Sequence, residues 1–241
     1  MKNRVEIKAE SRQFIRTGFI SPLLVSAIFV AIQLAFSELS TWLDTGSFSL
    51  QQIMDLLEQG SLNTVAYSYL PSPIASFFSI LMTLLIMVLT AGYYSYCMGI
   101  RKGWQMDFSS LLDGFGIAGS VIWCRILMGI KVFLWSLLFV IPGIIAAYRY
   151  RFAVYNLLST DQPISASEAI AMSCKQTQGM KMDLFVLDLS FLGWEILSAL
   201  TFGILNIWVL PYFTLSDLGY YEQAQMRVNS TDRTNNSPWE F

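Results

Sequence analysis

The sequence predicts an all-α fold: a polytopic helical membrane bundle with short amphipathic helices at the interfaces. Three observations carry that expectation. Of 241 residues, 54% are hydrophobic and only 13% charged, against roughly 25% charged in a soluble domain, so much of the surface must meet something other than water. Long runs, 19–36 and 74–100, contain no charge. The bases are also sorted by position: Lys2, Arg4, Lys8, Arg12 and Arg16 crowd the start, while none lies between Glu38 and Ser72. Bases held back on one side and absent from the other are the positive-inside pattern, and it places the N-terminus in the cytoplasm.

Taken in order, residues 1–17 read as an amphipathic helix. Its bases recur every four residues as one stripe, suited to lying beside anionic headgroups at the inner face of the bilayer. Residues 18–36 form the first span, with Pro22 in its first turn, where a missing N–H costs least. A basic start before an apolar run also resembles a cleavable leader. This run exceeds the ~7–15 residues of a leader's apolar core and no A-x-A pattern follows, so the span is expected to be retained. Residues 37–73 form an acidic outer segment, in which Leu50, Ile53, Met54 and Leu57 give one apolar helical face. The second span, 74–100, ends in a tyrosine-rich turn before Arg101 and Lys102. Residues 103–120 read as a loop with a helical turn or two.

Residues 126–158 are apolar but interrupted by Lys131, Pro142-Gly143, Arg149 and Arg151. Two short spans, 127–141 and 143–158, turning at Pro142-Gly143 are expected, with one long kinked span as the alternative. Ser165 to Glu168 matches a capping box, opening a cytoplasmic helix that Gly179 ends. Residues 159–182 are therefore a candidate docking segment for a protein partner. Spans at 184–200 and 203–221 follow, joined at Thr201-Phe202-Gly203, and the polar segment 227–241 reads as a flexible cytoplasmic tail. Residues 1–226 thus form a single membrane domain of six spans. Five is the alternative, but only six keeps Lys175, Lys181, Arg227 and Arg233 inside with the other bases.

Ionisable residues within spans are costly in hydrocarbon and mark either bracing ion pairs or a site. Arg125 and Lys131 sit near the inner end of the third span, where snorkelling can also serve them. By helical rise Asp188 lies about 7 Å into its span and Glu195 about 18 Å, with Arg149 and Arg151 about 10–14 Å from the same side and Asp217 within about two turns of it. The candidate polar cluster is therefore Lys131, Arg149, Arg151, Asp188, Glu195 and Asp217, with Glu195 the deepest.

The absence of His excludes imidazole-built metal sites and His-dependent triads. Cys97, Cys124 and Cys174 have no C-x-x-C spacing and read as free thiols. A net charge of −2 offers nothing to a nucleic acid, and no nucleotide-binding motif is present. No cofactor and no catalytic residue is implied.

Several segments occur in a recognisable order: Leu134-Trp-Ser-Leu-Leu, then Ile141-Pro-Gly-Ile-Ile with Tyr148 and Tyr150, Glu168-Ala-Ile with Ser173 and Gly179, Leu189-Ser-Phe-Leu-Gly-Trp194, Thr201-Phe-Gly, and Pro211-Tyr ahead of Tyr220-Tyr221. This set resembles the bacterial integral-membrane proteins grouped as domain of unknown function 975. The resemblance implies a polytopic fold in the plasma membrane and brings no established site residues. A non-enzymatic accessory or scaffold is the leading expectation. A transporter, exporter component or peptide-resistance factor using the inner-leaflet charges is the second, and an intramembrane lipid enzyme built on Asp188 and Glu195 the third.

Overall fold

The computed structural model describes residues 3–17, 22–45, 73–160 and 162–235, and these are helices and turns with no strand among them. Nine helices of seven residues or more are described: α1 (Arg4–Thr17), α2 (Pro22–Thr45), α3 (Pro73–Arg101), α4 (Ala118–Leu138), α5 (Val140–Tyr150), α6 (Ala153–Ser159), α7 (Ala166–Gln176), α8 (Lys181–Leu200) and α9 (Asn206–Asn235). A 3-10 turn, Phe108–Leu112, and a one-turn helix, Asp113–Gly116, fill the loop before α4. The apolar face expected at 50–57 lies outside the described residues.

The chain divides into two compact units, Met1–Val30 with Met87–Phe241, and Ala31–Ile86. In the smaller, Phe77, Ile80 and Leu81 of α3 are exposed. In the larger, α2 buries Val25, Ser26, Phe29 and Val30. Its Ser26 hydroxyl meets Tyr93 Oη at 2.8 Å, and Phe29 stacks on the Tyr93 ring at 4.9 Å.

Among the described residues, three helices are long and apolar enough to cross a membrane: Pro22–Leu39 of α2, Ser76–Arg101 of α3 and Ala118–Leu138, the whole of α4. The six-span expectation is met only in part. At 11 residues α5 is too short, and in α8 Asp183, Asp188 and Glu195 interrupt the apolar run.

The expected hairpin exists but turns elsewhere. Helix α4 ends at Leu138, Phe139 is extended (φ −159°, ψ 151°), and α5 starts at Val140. Pro142 is thus the third residue of α5, where its missing N–H would have no helical acceptor. Gly143 serves close packing: a Cβ there would lie 2.0 Å from Ser136 Oγ and 2.9 Å from Ser136 Cα on the facing arm. The second hairpin turns where expected, with Phe202 at φ 53°, Gly203 at φ 84° and the Gly203 N–H on the Ser198 carbonyl at 2.9 Å.

Helix α1 docks along α9, burying Ile7 and Ser11, and Ser216 Oγ donates to Ser11 Oγ at 3.2 Å. Lys8 donates to Ser190 Oγ at 2.7 Å and lies 4.1 Å over the Phe191 ring. Burial, and then the charges of Arg4 and Arg12, lower its pKa. Arg101, at the end of α3, pairs through two nitrogens with Glu222 of α9 (2.8 and 2.7 Å) and holds the Leu215 carbonyl at 3.0 Å.

Ser165 caps α7, accepting the Glu168 N–H at 3.2 Å, and Gly179 (φ +73°) follows the helix. The apolar face of α7 (Ala166, Ala169, Ile170) is buried against the rest of the unit, leaving Ser167, Glu168, Ala171 and Lys175 outward. Helix α9 continues to Asn235, into the segment expected to be flexible. There the Arg227 guanidinium covers Gly179, and the Ser230 and Thr231 hydroxyls donate back to the Arg227 carbonyl.

Candidate functional site

The centre of the site follows from a break in the second hairpin arm. Helix α5 stops at Tyr150 and α6 begins at Ala153, so Arg151 and Phe152 leave backbone groups without helical partners. Two hydroxyls, Ser173 of α7 and Thr177 just after it, supply them. Ser173 Oγ donates to the Arg149 carbonyl at 2.9 Å and accepts the Phe152 N–H at 3.1 Å, while Thr177 Oγ1 donates to the same carbonyl at 3.2 Å. The break fixes the direction of Arg151.

Arg151 joins two helices. Its Nη1 and Nη2 donate to Asp188 of α8 at 2.7 and 2.8 Å, and its Nε donates to Asp217 of α9 at 2.8 Å. Tyr148 Oη donates to Asp188 Oδ2 at 2.7 Å and Tyr155 Oη to Asp217 Oδ2 at 2.8 Å. Every carboxylate oxygen of the pair therefore accepts at least one hydrogen bond. Fork-shaped pairing of this kind is among the stronger polar contacts a protein makes. The guanidinium also lies 5.4 Å from the Phe213 ring centre.

Of the six residues expected in a cluster, the structure brings Arg151, Asp188 and Asp217 together. Lys131 is instead placed over the Tyr150 ring at 5.7 Å. Arg149, two positions from Arg151 and thus on another side of the helix, contributes its carbonyl and leaves its side chain exposed. Glu195 does not join the ion pairs; it is exposed at the edge of the adjoining cavity.

That cavity has a volume of about 890 Å³, inside the range of small-molecule sites. Arg125, Arg151, Asp188, Glu195 and Asp217 line it, together with Met128, Val132, Ile144, Leu192, Leu210 and Phe213. Arg125 comes from α4, and its Nε is buried without a hydrogen-bond partner. Among the described residues, no group of three His, Cys, Asp or Glu is placed to hold a metal ion.

Sequence reasoning missed a second polar centre next to this one. Asn156 and Gln176 exchange two amide hydrogen bonds at 2.9 Å each, and Tyr221 Oη donates to Asn156 Oδ1 at 3.0 Å. The available signal was a lone amide in an apolar run, the position that most needs a partner.

No curated protein and no solved structure matches the chain. Residues 137–228, which carry both hairpin turns and the Arg151, Asp188 and Asp217 cluster, match the family model described as Protein of unknown function (DUF975), and the resemblance read from the ordered motifs therefore holds across this segment.

Proposed function

We propose that this is an integral membrane protein of the plasma membrane, N-terminus cytoplasmic, acting as a non-enzymatic accessory or scaffold. Its apolar exterior supports the membrane part. Only 11% of α4 is buried, and Phe133, Leu137, Leu138, Phe139 and Val140 are exposed together. The second turn presents Leu200, Phe202 and Ile204 in the same way. A contiguous surface of this kind suits lipid, not water.

The observation that carries the scaffold reading is the saturation of the Arg151 cluster. Its carboxylate oxygens are all engaged, as in a brace between helices. The outward face of α7, with Glu168 and Lys175, is the docking surface for a protein partner. Affinity capture from solubilised membranes tests this. A defined partner retained by the native chain and lost on Glu168→Lys with Lys175→Glu supports the reading, and retention by both variants removes it.

A carrier role for a charged molecule is the second reading, favoured by the cavity and by Arg125 and Glu195, which stand outside the brace.

A further inference from the structure

The cavity beside the brace has an ordered charge pattern. Counting along each helix from its hairpin turn, Arg125, Arg151, Asp188 and Asp217 all lie about 18–21 Å away. They form one layer. On the turn side of that layer, one or two helical turns further on, the apolar lining residues are Met128 and Val132 of α4, Ile144 of α5, Leu192 of α8 and Leu210 of α9, and Glu195 of α8 stands at their level, two turns from Asp188. The cavity therefore has a polar end and a mainly apolar end whose charged lining residue is Glu195.

The charges at the polar end cancel in number but not in place. Arg151 is one cation against two carboxylates, leaving a surplus negative charge. Asp188 is the accessible member of that group, with its side chain 34% exposed, against 4% for Asp217. Arg125 supplies the compensating positive charge, yet it lines the cavity without joining the brace, and its buried Nε has no acceptor. A guanidinium nitrogen withdrawn from water without an acceptor in this way is satisfied by an anion. Glu195, at the cavity's edge, adds a further negative charge and disfavours an occupant that is only anionic.

We infer that the cavity binds a zwitterionic membrane lipid carrying an ammonium group, its phosphate on Arg125, its ammonium toward Asp188, and an acyl chain along the mainly apolar end. The inference rests on the membrane reading above. It deepens that reading by naming a ligand class that neither the brace nor the docking face requires.

The test is retention of lipid by the purified full-length chain, read by native mass spectrometry after exposure to equimolar phosphatidylethanolamine and phosphatidylglycerol. The native chain is expected to retain phosphatidylethanolamine about tenfold over phosphatidylglycerol, the ratio that one charge-assisted hydrogen bond provides. Arg125→Gln lowers phosphatidylethanolamine retention by about the same factor. Glu195→Gln narrows the preference between the two lipids. Arg16→Gln, which removes the same charge from the exposed side of α1, changes neither. Val132→Trp fills the apolar end without touching a charge and abolishes retention, which keeps the test intact if Arg125→Gln fails to fold. Water-soluble phosphoethanolamine, at equal concentration, leaves the lipid bound.

The inference is overturned if phosphatidylglycerol is retained as well as phosphatidylethanolamine, if Arg125→Gln and Val132→Trp both behave as the native chain, if Arg16→Gln matches the loss at Arg125, or if phosphoethanolamine displaces the lipid. Alkaline carbonate extraction of cell membranes separates this failure from that of the membrane reading. A chain released to the supernatant ends both, whereas one that stays in the pellet and shows no lipid preference ends only this inference.

Discussion

Arg151 holds two carboxylates of unequal burial, so the cost of breaking its contacts depends on which partner is lost. Arg151→Met strands Asp217, which is almost fully enclosed, and is expected to destabilise by about 3–5 kcal/mol, as removal of one member of a buried pair does. Asp188→Asn keeps the shape and breaks a contact a third exposed, so its cost is expected to be about 1 kcal/mol. Chemical unfolding of the purified protein in detergent compares the two, and equal losses would mean that the brace does not hold the helices together. The layer itself was legible in the sequence because helical rise fixes depth: Arg151, Asp188 and Asp217 were expected at similar levels and do meet. Direction was less legible. Arg149 and Arg151, two apart, cannot share a face, and the choice between them is made by a helix break that Ser173 and Thr177 stabilise from a distant part of the chain. Tyr148 and Tyr155 gave no warning that their hydroxyls would finish the carboxylates' hydrogen bonding.

At the level of elements, Pro142-Gly143 marks the start of a helix and a tight contact, while the turn is made by Phe139. The hairpin was the favoured reading of two apolar arms with a punctuating proline, against one long kinked span. The turn was misplaced because proline is tolerated in the first turn of a helix as readily as before it. The demand on Gly143 comes from Ser136, a through-space fact with no local signature. Gly143→Ala is therefore expected to splay the arms at a cost of about 1–3 kcal/mol, the range for overpacking. Gly129→Ala, on α4, meets open space and is expected to stay within about 0.5 kcal/mol of native. Thermal unfolding in detergent of the two variants reads the difference, and a neutral Gly143→Ala would show that the arms are not in close contact there. Helix α9 is the opposite case. Its last turns have no apolar periodicity to announce them, and their order comes from Arg227 against Gly179 and from hydroxyls bonded back along the helix.

For the whole molecule, sidedness and depth are separate questions, and the sequence speaks only to the first, through the placement of its bases. Keeping the bases on one face needs only that each hairpin leaves and returns to the same side. Whether a hairpin reaches the far side depends on length. In the second hairpin Asp188 and Asp217 stand about 21 Å from the turn, short of the ~30 Å hydrocarbon core when the charged layer sits at its inner boundary. The second turn suits a stop inside hydrocarbon, with Phe202 88% exposed. Phe202 also holds a positive φ, a conformation unusual for a bulky side chain, at the very tip. An aromatic group in that position has little reason to face water. In a variant with Cys97, Cys124 and Cys174 replaced by serine or alanine, a cysteine placed by Phe202→Cys is expected to resist a membrane-impermeant maleimide added to intact cells, and to react once detergent is present. Complete fifth and sixth crossings would put the same residue in the outer medium, where the reagent would modify it without detergent. A cysteine placed by Glu168→Cys should react in opened cells and not in intact ones, because α7 exposes that position and the proposed topology puts it on the cytoplasmic side in either arrangement. Labelling of Phe202→Cys from outside, with Glu168→Cys protected, would restore the complete crossing and leave the sidedness standing.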